Sequence, residues 1–220
     1  MTDGLAVPLG ANANLVAMAS PYNVRVFGDP VLRKVAEEIT NIDGKLVRLA
    51  DEMLETMYAE PGLGLAAPQV GIQRRFFVYD IGEGPQALIN PVIHESAGEW
   101  VYEEGCLSVP GLYWEIVRPK EIHISGYDLQ GNEVSIEADE LLARLFQHEL
   151  DHLDGVLLLD RLDPDTRKQA MKTVRELFID GDPLAAQAAA RAAAQERSQE
   201  RTKDRGKTRP SKSVGGLTLP

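Results

Sequence analysis

Two histidines four residues apart, His148 and His152, bracket Glu149 in the run Gln147-His148-Glu149-Leu150-Asp151-His152. On a helix this spacing puts both imidazoles on one face, where they can grip one divalent metal. Glu149 then stands beside the metal, able to move a proton, and the pattern points to hydrolysis of an amide. The competing reading is a helix with two surface histidines and acidic neighbours. Two imidazoles are too few for a stable site, so a third ligand is needed. The extended pattern HExxHxxGxxH does not supply it. Gly155 takes the glycine position, but Leu158 stands in the last place and no histidine follows His152. His94 and His123 are isolated in strand or loop segments and read as surface or partly buried structural residues. The free donor is Cys106, the single cysteine, in Glu104-Gly105-Cys106-Leu107-Ser108. Gly105 lets the backbone approach closely, and a thiolate binds divalent metals strongly. Taken alone, such a cysteine reads first as a buried structural thiol; beside HExxH the ligand reading takes precedence.

A second cluster is backbone rather than side chain. Gly62 and Gly64, in Gly62-Leu63-Gly64-Leu65-Ala66-Ala67-Pro68-Gln69, carry no Cβ, so another chain can approach the protein backbone there. The plain alternative is a tight turn after a helix.

These residues need elements to hold them. Asp139 is a cap for the HExxH helix, Leu141, Leu142, Leu145, Phe146 and Leu150 are its apolar positions, and Gly155 closes it. Asp29-Pro30 opens a short helix through Ala36, and Asp43 a longer one that Pro61-Gly62 ends. A third helix is predicted from about Pro164 to Phe178. Strand-like runs are Phe76 to Tyr79, Ala87 to Ile89, Val92 to Ile93, Trp100 to Tyr102, Leu112 to Val117, Glu121 to Tyr127 and Glu133 to Ile136. Gln130-Gly131-Asn132 marks a hairpin between the last two. Runs this short and close predict antiparallel pairing rather than βαβ crossovers.

The 220 residues allow one domain with flexible ends. We expect an N-terminal arm over 1–21, a catalytic domain over 22–180 and a mobile tail, Ala-rich and then basic, over 181–220. A single cysteine rules out an internal disulfide. No apolar run reaches the ~18 to 20 residues of a membrane span, and no Arg or Lys precedes Arg25, so neither a membrane helix nor a secretory signal is predicted. The expected setting is cytoplasmic and the expected state a monomer. The net charge is −11, which argues against a broad nucleic-acid-binding surface. The tail runs the other way, with eight Arg or Lys against four Asp or Glu over 181–220.

The three segments Gly62 to Gln69, Glu104 to Ser108 and Gln147 to Gly155, in this order and spacing, resemble the peptide deformylases, and the similarity covers about Tyr22 to Lys172. The resemblance implies an α+β fold with antiparallel β-sheets packed around a central HExxH helix, a further N-terminal helix and a C-terminal helix. It implies one Fe²⁺ per chain, replaceable by Zn²⁺, Ni²⁺ or Co²⁺, on Cys106, His148 and His152. It implies removal of the formyl group from N-formylmethionyl peptides as formate, with water activated by the metal and Glu149 as base and then acid. The Gln69 amide and the Leu107 backbone N–H would stabilise the developing oxyanion. Gly62, Leu63, Gly64 and Gly105 would border an extended substrate. For the methionine side chain, Leu141 and Leu145 with Leu63 opposite would make a pocket, with Arg144 at its rim, head outward. Glu104 and Arg118 could pair to hold the cysteine loop. The basic tail could contact ribosomes, against the simpler reading of a solvated tail. The alternatives are an HExxH metallopeptidase and a deformylase-like protein without activity.

Overall fold

The computed structural model describes residues 20–60 and 62–182, with 185, 186, 188, 189, 192 and 193 beyond them. The arm over 1–21 and the tail over 181–220 lie almost wholly outside these residues.

Among the described residues, seven strands and three long α-helices alternate in clusters. In chain order they are α1 (Gly44–Ala59), β1 (Gly64–Ala66), β2 (Phe76–Tyr79), β3 (Gln86–Ala97), β4 (Trp100–Gly105), β5 (Tyr113–Arg118), β6 (Glu121–Tyr127), β7 (Glu133–Asp139), α2 (Glu140–Leu153) and α3 (Pro164–Phe178). One antiparallel sheet has the order β1-β2-β3-β6-β7, and β4 and β5 pair as a separate ribbon. This is the predicted α+β arrangement. The helix starts at Asp43 and Asp163 follow from capping: each side chain accepts from two backbone N–H groups of the first turn.

At its β1–β2 end the large sheet is covered on both faces. Phe76, Val78 and Leu65 turn to one side and pack with Leu46, Ala50, Met53 and Met57 of α1. Phe77 and Ala66 turn to the other and pack with Ala143, Leu145, Phe146 and Leu153 of α2. Burial on both faces explains the unbroken apolar run Phe76-Phe77-Val78-Tyr79. A third cluster, Cys106, Val109, Ile116, Leu158 and Leu159, lies under Ala170, Val174 and Phe178 of α3.

Two departures from the predicted elements have local causes. Pro30 opens only a 3-10 turn, Pro30–Arg33, because the chain then bends to bridge Glu37 with Arg74. The runs on either side of Asn90-Pro91 are one strand. Asn90 takes a positive φ of 50° and the register shifts there, so the proline that cannot donate a ladder bond sits at a bulge. The Asn90 side chain secures the kink, accepting from Ile39 N at 2.9 Å and donating to Ile39 O at 2.8 Å. In the glycine-rich segment, Gly64–Ala66 forms β1, and Ala67–Val70 a 3-10 turn behind it.

Candidate active site

α2 is the helix that carries His148, Glu149 and His152, and it is buried on most of its surface. It starts abruptly. β7 runs straight into it, and Glu140 makes the corner with φ of 41° while its N–H donates to Lys120 O. Asp139 occupies the N-cap as predicted, but its side chain caps nothing. At the other end Gly155, with φ of 71°, lies so close to Arg33 that a Cβ would come within 2.8 Å of the Arg33 carbonyl. Ala36 N–H donates to Leu153 O beside it, at 2.8 Å.

Cys106 enters from the turn after β4. The ligand atoms of Cys106, His148 and His152 all lie within 4.8 Å of one another, the one such trio of His, Cys and acidic groups among the described residues. Cys106 Sγ is 3.2 Å from His152 Nε2 and receives the Ser108 N–H at 3.4 Å. His148 turns its Nδ1 to Glu104 Oε2 at 3.1 Å, which leaves Nε2 for the cluster. Burial alone would raise the Cys106 pKa, but His152 and His148 outweigh it and hold the thiol well below its usual range. Burial likewise works against a charged His148, yet Cys106 and Glu104 hold its pKa well above the ordinary imidazole value. Cys106 is thus favoured as a thiolate with positive charge on His148 beside it, the balance that a divalent cation satisfies. One soft thiolate with two imidazoles fits a Zn²⁺- or Fe²⁺-type ion.

Glu149 lies on the same turn of helix, buried, and its Oε2 has no protein partner among the described residues. Burial pushes its carboxyl up to about 7, with His148 and His152 pulling the other way. A Cβ at Gly64 would meet Glu149 Oε1 at 2.4 Å, so glycine is what lets β1 lie against this carboxylate. Gly105 has a similar role beside the Tyr113 ring, 2.4 Å from its would-be Cβ. Gln69 is oriented by its own segment: Oε1 accepts the Ala66 N–H at 2.8 Å. Its Nε2 is thereby turned to Ser108 Oγ at 3.3 Å and Cys106 Sγ at 3.8 Å. The Leu107 N–H takes no backbone partner among the described residues, and the Leu107 side chain packs over Gly62.

Arg144 is placed differently from the sequence expectation. Its side chain is not at a rim with its head outward but buried, 3% exposed. It donates to Glu104, to the Trp100 carbonyl and, at 3.0 Å, to Ile116 O, and it lies over the Trp100 ring at 4.8 Å. Trp100 and Ile116 belong to the β4–β5 ribbon, so this arginine ties the ribbon to α2. Arg118 meets Glu104 at 2.7 and 3.1 Å and also reaches Asp151 at 2.9 Å. Arg161 closes the far side of Asp151. Asp151 and Arg161 were not singled out from the sequence. Asp151 sits inside the HExxH run, and that position was the available signal. Leu145 is buried in the α2 core, whereas Leu141 is 42% exposed and Leu63 47%. His94 and His123 are not isolated: their rings touch.

The family model described as Polypeptide deformylase matches residues 21–168. A peptide deformylase of Thermotoga neapolitana is 50% identical over 157 residues, covering 71% of this chain and 96% of that protein. The crystal structure of the Thermotoga maritima peptide deformylase is 52% identical, covers 65% of this chain and 98% of that one, and superposes with a TM-score of 0.64. The Synechococcus elongatus peptide deformylase in complex with actinonin is 40% identical, covers 73% of this chain and 88% of that one, and has a TM-score of 0.67. The matched region takes in the whole large sheet, α1, α2 and the Cys106, His148 and His152 trio, and the chain belongs to the polypeptide deformylase family of hydrolases.

Proposed function

We propose that this chain hydrolyses the N-formyl group of N-formylmethionyl nascent peptides, releasing formate, with Cys106, His148 and His152 holding an Fe²⁺ ion that Zn²⁺, Ni²⁺ or Co²⁺ can replace. The observation that carries the proposal is one thiol and two imidazoles gathered within 4.8 Å beside a buried carboxylate, one oxygen of which has no protein partner among the described residues. When bound, the metal supplies Lewis-acid polarisation and makes water more acidic.

The chain's own residues do the rest. Glu149 takes a proton from the attacking water and later delivers it to the leaving amine, a role suited to a carboxyl titrating at about 7. Negative charge grows on the formyl oxygen. The Gln69 Nε2 and the Leu107 N–H are the donors we assign to it, each lowering the barrier by on the order of 3 kcal/mol. Gln69 suits this role because Ala66 already fixes its Oε1, so its N–H₂ end needs no reorganisation.

Among the described residues β1 is an edge strand, paired with β2 on one side. An extended peptide can add along its other side, past Gly62, Leu63 and Gly64 and opposite Gly105. Leu63, Leu141 and Leu145 remain the residues we assign to the methionine side chain; Arg144, committed to Glu104 and two carbonyls, holds the wall behind them. The segment 181–220 is our candidate for ribosome contact through its basic residues. A chain ending at Asp182 that binds ribosomes equally well removes that assignment.

The deciding experiment is anaerobic purification with metal analysis, followed by formate release from formyl-Met-Ala-Ser. One iron per chain and formate without internal peptide cleavage support the proposal. Cleavage inside the peptide, or turnover that survives Glu149→Ala, overturns it.

A further inference from the structure

The chain has four histidines. The two outside the catalytic cluster, far apart in sequence, meet on the sheet. The rings of His94 on β3 and His123 on β6 have centroids 5.1 Å apart and are tilted by 42°.

Strand register explains the meeting. Ile93 pairs with Ile124 and Glu95 with His123, so β3 carries one extra residue, His94, against β6. Such a bulge sets two residues of one strand opposite one of the other, and His94 and Glu95 both border His123. On the other side of β6, Glu137 of β7 is directly opposite His123. Residues opposite one another in an antiparallel pair share a face. This face therefore carries two imidazoles, with a carboxylate on each side of His123. His94 is exposed and His123 half-buried, so ions in solvent can reach them.

The imidazoles are also oriented. His94 Nε2 is 2.6 Å from Ser125 Oγ, and His123 Nε2 is 2.7 Å from Ser135 Oγ. With each serine accepting from Nε2–H, the Nδ1 lone pairs are left for a ligand. This is how an outer hydrogen bond fixes the tautomer of a metal-binding histidine. The net charge of −11 adds a general attraction for cations.

We propose that His94 and His123 form a second divalent-metal site, for an imidazole-seeking ion of the Zn²⁺, Ni²⁺ or Cu²⁺ kind, with Glu95 or Glu137 swinging in as third ligand. It shares no residue with the Cys106 cluster. The test uses the full chain carrying its catalytic metal, dialysed at neutral pH against rising Zn²⁺ with metal analysis. A second, saturable equivalent in the micromolar range is expected. His94→Ala and His123→Ala should each weaken it about tenfold or more, and Glu95→Gln with Glu137→Gln together should weaken it less. Formate release without added zinc should be unchanged in all of them, which shows that they are folded. In proton NMR of the unsubstituted chain, the ring signals of both non-catalytic histidines should move together with zinc. The proposal is overturned if no second equivalent binds below millimolar zinc, or if both histidine variants keep it with unchanged affinity.

Discussion

At the scale of single residues, Glu149 and Arg144 separate chemistry from scaffolding. Glu149 is buried, with one carboxylate oxygen unpartnered by protein among the described residues and its pKa pushed up to about 7. It is not in the ligand trio. Glu149→Gln should therefore lower kcat by at least about 100-fold while bound metal stays at the level of the parent chain, both read on the same preparation. Metal lost together with activity would make Glu149 a ligand instead. Arg144 works through shape. Its planar fork reaches Glu104 and two backbone carbonyls at once, which a lysine cannot do. Arg144→Lys should cost about 3 kcal/mol in urea unfolding. An unchanged stability with an altered preference for the first substrate residue would restore the rim position expected from sequence.

At the scale of elements, two glycines set how closely pieces of the fold approach. Gly64 lets β1 lie against the catalytic carboxylate. A methyl there would meet the end of a flexible side chain, not backbone. Gly64→Ala should displace Glu149, so turnover should fall steeply while Tm moves little. The opposite pattern, a large drop in Tm with activity kept, would show that the glycine serves packing. Gly155 is the contrasting case. Its φ is 71° and its would-be Cβ points at the Arg33 backbone, which cannot rotate away. Gly155→Ala should destabilise the chain by about 1 to 3 kcal/mol or more, seen as an earlier urea midpoint. If the midpoint stays put, the end of α2 is free to shift.

Across the whole molecule, one ionic chain, buried except at Arg161, joins four parts. Glu104 at the end of β4 meets Arg118 at the end of β5 and both Arg144 and His148 on α2; Arg118 and Arg161 then meet at Asp151. Burial alone would raise the Glu104 pKa, but His148 and Arg118 outweigh it and bring it down to about 2. A carboxyl depressed by folding adds stability that is complete above its unfolded value near 4.5 and is lost as pH falls through 2. Unfolding free energy should thus drop between these values in the parent chain and drop less steeply in Glu104→Gln. Parallel curves for the two proteins would show that Glu104 carries no such linkage.

The amino-acid sequence alone determined what depends on local spacing. HExxH fixes two imidazoles on one helical face, Asp43 marks a helix start through its own side chain, and alternation and turn residues outline β6 and β7. Cys106 could be named as the missing ligand because it was the one strong donor left. Tertiary structure decided what depends on partners distant in the chain. The Asn90 kink needs Ile39, the burial of Arg144 needs the carbonyls of a separate ribbon, and the meeting of His94 with His123 needs a one-residue register shift. None of these leaves a period in the sequence, because a buried arginine and a surface one are written alike. Whether its charge is paired inside or solvated outside is settled only when the elements pack.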